Sequence, residues 1–150
     1  MCRTVCLLVG VLLVVPLLGS DAPKGYDGEA VWDGGLQGTW KFVMGGTAGD
    51  ATVNVPAIPI VQAFRRGRWE CRHNGRIVDE GVYATDTSRN PTCLDETSTV
   101  EGQATGKTRK LIYRIDGETL RTAVRLGEDG RPESFDEGGI YIITWKRVKK

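Results

Sequence analysis

Downstream of residue 36 the apolar side chains recur at every second position, and no eleven-residue window carries a helical stripe. A period of two puts alternate side chains on opposite faces of an extended chain, so each run needs a neighbouring strand beside it. The runs are short, and turn residues separate them. Residues 39–44 place Trp40, Phe42 and Met44 on one face, and 60–64 is strand-like after them. Trp69, Cys71 and His73 alternate next, followed by 77–84, 92–100, 110–115, 119–126 and 140–148. These make about eight strands at short spacing. Asn74-Gly75 and Asp116-Gly117 each stand between two extended runs, and both dipeptides tolerate the positive φ angles of a type I′ turn, so each predicts a hairpin. Gly81 is a bulge candidate within 77–84, and residues 45–59, rich in Gly, Ala and Pro, form the longest loop. The expected fold is all-β, an antiparallel up-and-down barrel of about eight strands, with a β-sandwich as the alternative. The hairpin order favours the barrel.

Residues 1–20 carry a single charge, Arg3, and an apolar run over 7–18 that only Gly10 and Pro16 interrupt. A membrane-spanning helix takes about 20 apolar residues, which this run does not reach. A basic start, a short apolar middle and small residues at Gly19 and Ser20 match a secretory signal peptide. The expected organisation is a signal over 1–20, a flexible leader over 21–35 and one barrel domain over 36–150, exported to the periplasm or the extracellular space. The run Leu17-Leu18-Gly19-Ser20 looks like a lipoprotein box with Ser in place of the acylated Cys. A hydroxyl cannot supply that thioether, so neither a lipid anchor nor a membrane span is expected after cleavage.

The chain has 150 residues, with 20 basic and 19 acidic side chains. The one-charge excess is Arg3 itself, so the remainder is balanced. Balance removes the usual case for nonspecific binding to nucleic acid or to an anionic membrane, which rests on a surplus of Lys and Arg. His73 is the only imidazole and reads as a turn residue. No Gly-x-Ser-x-Gly elbow or His-Glu-x-x-His is present, and Glu101 occupies the place where a phosphate loop ending at Lys107-Thr108 needs its first Gly. No catalytic residue, metal ligand or cofactor is therefore expected. The acid pairs Asp79-Glu80 and Asp95-Glu96 point to opposite faces of their strands and read as solvated surface. Cys71 and Cys93 survive signal removal and are either a bridge, which stabilises by about 3 kcal/mol, or two buried thiols. Arg65, Arg66 and Arg68, with Arg72 and Arg76 nearby, form the most basic stretch of the chain. Guanidinium forks suit a phosphate or an acidic glycan. The other reading is a solvated hairpin that protects an edge from pairing.

Several pieces together carry a family resemblance. They are Leu36-Gln37-Gly38-Thr39-Trp40, Gly106-Lys107-Thr108, the run 112–121, Arg131-Pro132 with Phe135, and Trp145-Lys146-Arg147. In this order they resemble a small exported domain of uncharacterised function that recurs in planctomycete bacteria, over essentially 36–147. That family is lipocalin-like, of calycin type, and Gly38-Thr39-Trp40 is similar to the lipocalin first-strand signature. The resemblance implies that Trp40 plugs the closed end of the barrel, a structural role. Glu96 stands where the family tends to place an apolar residue. The resemblance implies a fold and a compartment, and no activity. Aromatic residues are spread over most strands, and an eight-stranded barrel is either filled by side chains or holds one small ligand. Two functional expectations follow. One is a non-enzymatic exported domain that binds a small apolar or amphipathic ligand at the open end. The other is a surface module that contacts a protein or a cell-envelope polymer through the 65–76 hairpin.

Overall fold

The computed structural model describes residues 32–50, 53–101, 105–127 and 130–149. The expected signal peptide, residues 21–31 of the leader and the turn residues Glu128 and Asp129 lie outside the described residues. Eight strands follow one another: β1 (Gly38–Thr47), β2 (Ile60–Arg65), β3 (Arg68–His73), β4 (Arg76–Asp86), β5 (Thr92–Ser98), β6 (Thr108–Asp116), β7 (Thr119–Arg125) and β8 (Ile140–Arg147). Each pairs antiparallel with the next, and β8 returns to pair with β1, so the sheet closes into an up-and-down barrel. The barrel expectation holds and the sandwich alternative falls. Closure leaves no unpaired edge strand.

The turns follow local chemistry, with two departures from expectation. Arg66 and Gly67 join β2 to β3, and Asn74 and Gly75 join β3 to β4, all four with positive φ, which is the type I′ pattern. At the third hairpin Asp116 pairs with Thr119, so the loop is Gly117-Glu118 and positive φ falls on Gly117. That is the type II′ pattern, with Gly leading, in place of the expected Asp116-Gly117 type I′ turn. Gly81 does not bulge. The extra residue in β4 is Val78, between Ile77 opposite Arg72 and Asp79 opposite Cys71. Gly81 stays in register with Trp69 and Ser98, and a Cβ there would lie 1.9 Å from the Thr97 carbonyl oxygen. Glycine is needed for a close strand approach.

Inward positions from the closed end to mid-height are filled by large side chains. Trp40, Phe64, Tyr83, Tyr113, Leu36, Leu94 and Leu120 are fully buried. Phe42 meets Trp145 edge-on at 5.4 Å between ring centres, and Phe64 meets Tyr83 at 5.1 Å, the geometry that aromatic quadrupoles favour. Trp40 closes the end where β1 starts. Its Nε1 donates to the Leu36 carbonyl at 2.9 Å, and the Arg147 guanidinium lies 4.0 Å above its ring. Arg147 also donates to the Gln37 and Gly35 carbonyls. A Cβ on Gly38 (φ 127°) would stand 2.9 Å from that guanidinium, which explains the glycine two residues before Trp40. Part of the expected leader is therefore structured. The Asp33 carboxylate accepts from the Tyr113 hydroxyl at 2.7 Å and its backbone amide donates to Thr85, so the described domain begins ahead of residue 36.

A second, smaller apolar layer lies outside the barrel. Residues 131–139 cross the outer wall, where Phe135 packs with Ile112, Ala123 and Ile140. Arg131 pins this wrap by donating to the Leu94 and Leu111 carbonyls and pairing with Asp95. Asp95, expected to be solvated, is buried beneath it. Two glycine substitutions separate the steric causes. Gly81→Ala is expected to lose about 3 kcal/mol in urea unfolding, because the strand backbone itself must move. Gly75→Ala, with open space around it, is expected to lose about 1 kcal/mol from its left-handed φ alone. Equal losses would remove the close-approach account of Gly81.

Candidate functional site

Above the aromatic layers the inward positions change character. Register places Gln62 of β2, Cys71 of β3, Asp79 of β4, Glu96 and Ser98 of β5 and Arg109 of β6 on the inner face. Asp79, Ser98 and Arg109 sit toward the end that carries the β1–β2, β3–β4, β5–β6 and β7–β8 connections, whereas Gln62 stands directly across from Trp40 and Glu96 across from Tyr83. The acid pairs do split across the two faces of their strands, as alternation requires. Their inward members, Asp79 and Glu96, then meet from adjacent strands, and the expectation of solvated surface fails for Glu96, which is 3% exposed.

The geometry is continuous. Gln62 Nε2 donates to Glu96 Oε1 at 2.5 Å, and Arg109 Nη2 lies 3.0 Å from Glu96 Oε2 and 3.5 Å from Asp79 Oδ2. Ser98 Oγ donates to the other Asp79 oxygen at 2.6 Å. The Arg109 guanidinium rests 4.8 Å over the Trp69 ring, whose Nε1 is engaged by the Val82 carbonyl at 3.1 Å. Exposure rises steadily along the chain of contacts, from Glu96 through Asp79 to Arg109, whose side chain is 48% exposed. Buried and half-buried carboxylates thus hold the Nη2 edge of a guanidinium that lies over the Trp69 ring and stays about half open to solvent.

Burial pushes the Glu96 carboxyl above the ordinary glutamate range, an effect that Arg109 and Gln62 only partly oppose. The Cys71 thiol beside the cluster is pushed up to about 11, again by burial, with the Arg109 charge acting against it. Cys71 is accordingly a poor nucleophile at neutral pH.

Beside Arg109 the wall opens. The β6–β7 pairing runs from Asp116 opposite Thr119 to Leu111 opposite Val124, so residues 108–110 pair with β5 alone. A groove of about 440 Å³ lies at this gap, lined by Lys107, Thr108, Arg109, Lys110, Val124, Arg125 and Gly130. Among the described residues that line it, Lys107, Arg109, Lys110 and Arg125 are cations, which suits an anionic group. Arg125 is itself paired with Glu137. Lys107, Arg109 and Lys110 are the residues that sequence reasoning missed. Only the odd placement of Glu96 hinted at them, because a carboxylate at an apolar position needs a cation beside it.

The residues singled out from sequence have other roles. Gly38, Trp40, Asn74, Gly75 and Gly117 shape closure and turns, and Asp116 ends β6. The arginines do not form one patch. Arg65, Arg66 and Arg68 stand at the closed end of the β2–β3 hairpin and Arg76 at the other end of β3. Arg72 pairs with Glu70 at 2.9 Å, and Glu70 stands opposite Glu80, so carboxylates interleave the row. His73 ends β3, half-buried. Cys71 and Cys93 are both free, which corrects the bridge alternative. They oppose Asp79 and Asp86 at opposite ends of β4, which lies between their strands. Two strand spacings alone are about 9.5 Å, beyond the Cα reach of a disulfide of about 7 Å. Among the described residues no group of three or more His, Cys, Asp or Glu could hold a metal ion.

Two measurements check this geometry. A carboxyl whose folded-state pKa is raised keeps its stability contribution below the ordinary value near 4.5 and loses it as pH rises through the folded value. Glu96→Gln removes that titration. The unfolding free energy of the variant relative to the parent chain is therefore expected to move in the variant's favour between about pH 4 and pH 8. A difference that stays constant across this range would contradict the burial of a titrating Glu96. For the thiols, a chain carrying Cys2→Ser and Cys6→Ser is expected to label at both remaining cysteines in urea without reductant, and to leave Cys71 unlabelled when folded at pH 8. Absence of labelling in urea would indicate a bridge.

Comparison of the chain with protein-family models, with curated proteins and with solved structures returns no match.

Proposed function

We propose that this chain is an exported, lipocalin-like binding barrel that acts without catalysis and takes a small amphipathic ligand by its anionic head at the open end. The observation that carries the reading is the Arg109 guanidinium, backed by the buried Glu96 and by Asp79 and opening onto a groove lined by Lys107, Lys110 and Arg125. A barrel that needed only to be filled would place apolar residues at Gln62, Glu96 and Arg109. Burying a carboxylate costs several kcal/mol before pairing returns part of it. Such a cost is characteristic of binding sites, where a polar group must be held ready for its partner. The interior below is occupied by aromatic rings, so the head sits at the mouth and the tail lies along Val124 and the rim above it. The groove volume falls within the range of about 300–1,000 Å³ usual for small-ligand sites. The Gly38-Thr39-Trp40 signature, with Trp40 under Arg147, supports the lipocalin-like assignment, and the N-terminal sequence supports export.

Titration of Trp fluorescence with dodecanoate and with dodecanol tests the reading, since the two share a twelve-carbon chain and differ in the head, an anionic carboxylate against a neutral hydroxyl. Dodecanoate is expected to bind at least about tenfold more tightly, a difference worth about 1.4 kcal/mol. Lys107→Gln with Lys110→Gln, both at exposed positions, is expected to narrow that preference while leaving the urea midpoint unchanged. Equal binding of the acid and the alcohol, or no binding of either, would remove the proposal.

A further inference from the structure

Charge is unevenly divided between the two halves of the barrel. Strands β6, β7, β8 and β1 hold eight basic residues and one acid, Asp116. Strands β2 to β5 hold four arginines and six acids. Tyr113, Leu120, Trp145 and Phe42 fill the interior from the basic half, so alternation turns Arg114, Arg121, Lys146 and Lys41 outward from the same four strands.

Register sets these cations in two directly opposed pairs: Arg114 of β6 faces Arg121 of β7, and Lys146 of β8 faces Lys41 of β1. The second pair stands one step nearer the closed end, because Lys146 also lies opposite Thr119, two residues before Arg121. Like charges directly opposite on adjacent strands repel, and here the arrangement occurs twice side by side. Both guanidinium groups of the first pair are held against Phe135, with Arg114 at 5.5 Å and Arg121 at 5.2 Å from its ring centre. The neighbouring acids are placed elsewhere. The wrap over 131–139 carries Glu133, Asp136 and Glu137, of which Glu137 pairs with Arg125, and Glu118 of the β6–β7 turn pairs with Lys149. Among the described residues none of the four cations has a carboxylate partner.

Spacing and chemistry indicate the kind of partner. One cation per strand places positive charges about 4.8 Å apart across the sheet, close to the length of one sugar ring in a polysaccharide. Duplex DNA is far denser, with one charge per about 1.7 Å of its axis. Single-stranded nucleic acid asks for aromatic platforms on which bases stack, and the Phe135 ring is already engaged by two guanidinium groups. A protein partner asks for an apolar centre with aromatic anchors. This face instead sets the hydroxyls of Thr119 and Thr144 between its cations, with Met44 as the exposed apolar side chain beside them.

We infer that the outer wall formed by β6, β7, β8 and β1 binds an acidic polysaccharide bearing one carboxylate per sugar ring, with Arg114, Arg121, Lys146 and Lys41 meeting successive acidic groups. Guanidinium forks match carboxylates in geometry as well as charge. The surface is separate from the groove at Arg109, so the two sites succeed or fail independently.

Affinity electrophoresis of the full chain through gels containing polygalacturonate tests the inference, with the fully methyl-esterified polymer as the uncharged control. The charged polymer is expected to bind at least tenfold more tightly than the ester. Lys41→Gln with Arg114→Gln, both exposed and one from each opposed pair, is expected to weaken that binding at least tenfold. The urea midpoint of this variant is expected to stay at or above that of the parent chain, since each substitution relieves a like-charged pair. Lys41→Arg with Arg114→Lys keeps both charges and is expected to bind as the parent does, and Lys107→Gln with Lys110→Gln, at the mouth, is expected to leave retardation unchanged. No retardation, equal retardation by the ester, or equal losses in the outer-wall and mouth variants would overturn the inference, as would loss of binding in the charge-preserving variant. So would tighter binding of duplex DNA or of polyglutamate at matched charge concentration, which would assign the wall to nucleic acid or to an acidic protein.

Discussion

Pairing of β8 with β1 is the contact on which the rest of this structure depends. It closes the sheet, and it places Arg147 opposite Trp40. That register lets the guanidinium cover the indole and reach back to the carbonyls of Gln37 and Gly35, which ties the segment before β1 across the closed end. Closure also sends every inward side chain toward one axis. Gln62 on β2 and Glu96 on β5 are separated by two intervening strands in the sheet, yet they share a hydrogen bond inside the barrel. An open sheet of the same sequence would leave both facing outward from a surface.

The interior then divides by height. Below, aromatic rings meet edge to face and exclude water, so the lower barrel behaves as a packed core. Above, a carboxylate is held where the dielectric is low, and its hydrogen bonds to Gln62 and Arg109 offset only part of the desolvation. The two halves serve one another. Rigid packing beneath Trp69 fixes the ring on which Arg109 rests, and Arg109 in turn carries the buried charge toward solvent. The outer wrap over residues 131–139 adds a further constraint, since Arg131 binds carbonyls on β5 and β6, the strands that carry Glu96 and Arg109.

Much of the fold was legible from residue pattern alone. Alternation over 39–44 and 140–148 and the Asn74-Gly75 dipeptide depend on backbone geometry within a few residues, so they needed no knowledge of the remote chain. Errors arose where remote strands intervene. Gly81 reads as a bulge locally, but its need for glycine comes from the Thr97 backbone opposite it. Asp95 and Glu96 read as surface because acids are seldom buried, and both are buried by partners on other elements, Arg131 and Arg109. Asp33 looked like part of a leader, and its anchor is Tyr113, eighty residues away in sequence.

By itself the sequence determined the all-β class, the approximate strand count and the turn at Asn74-Gly75, because each is set by φ preference or side-chain alternation between neighbours. Only the tertiary structure decided that the sheet closes, that Cys71 and Cys93 lie too far apart to bridge, that the arginines of the β2–β3 and β3–β4 hairpins are dispersed, and that Gln62, Asp79, Glu96 and Arg109 converge. The physical reason is register: which residue stands opposite which depends on pairing between strands distant in sequence, and a period of two along one strand carries no record of it.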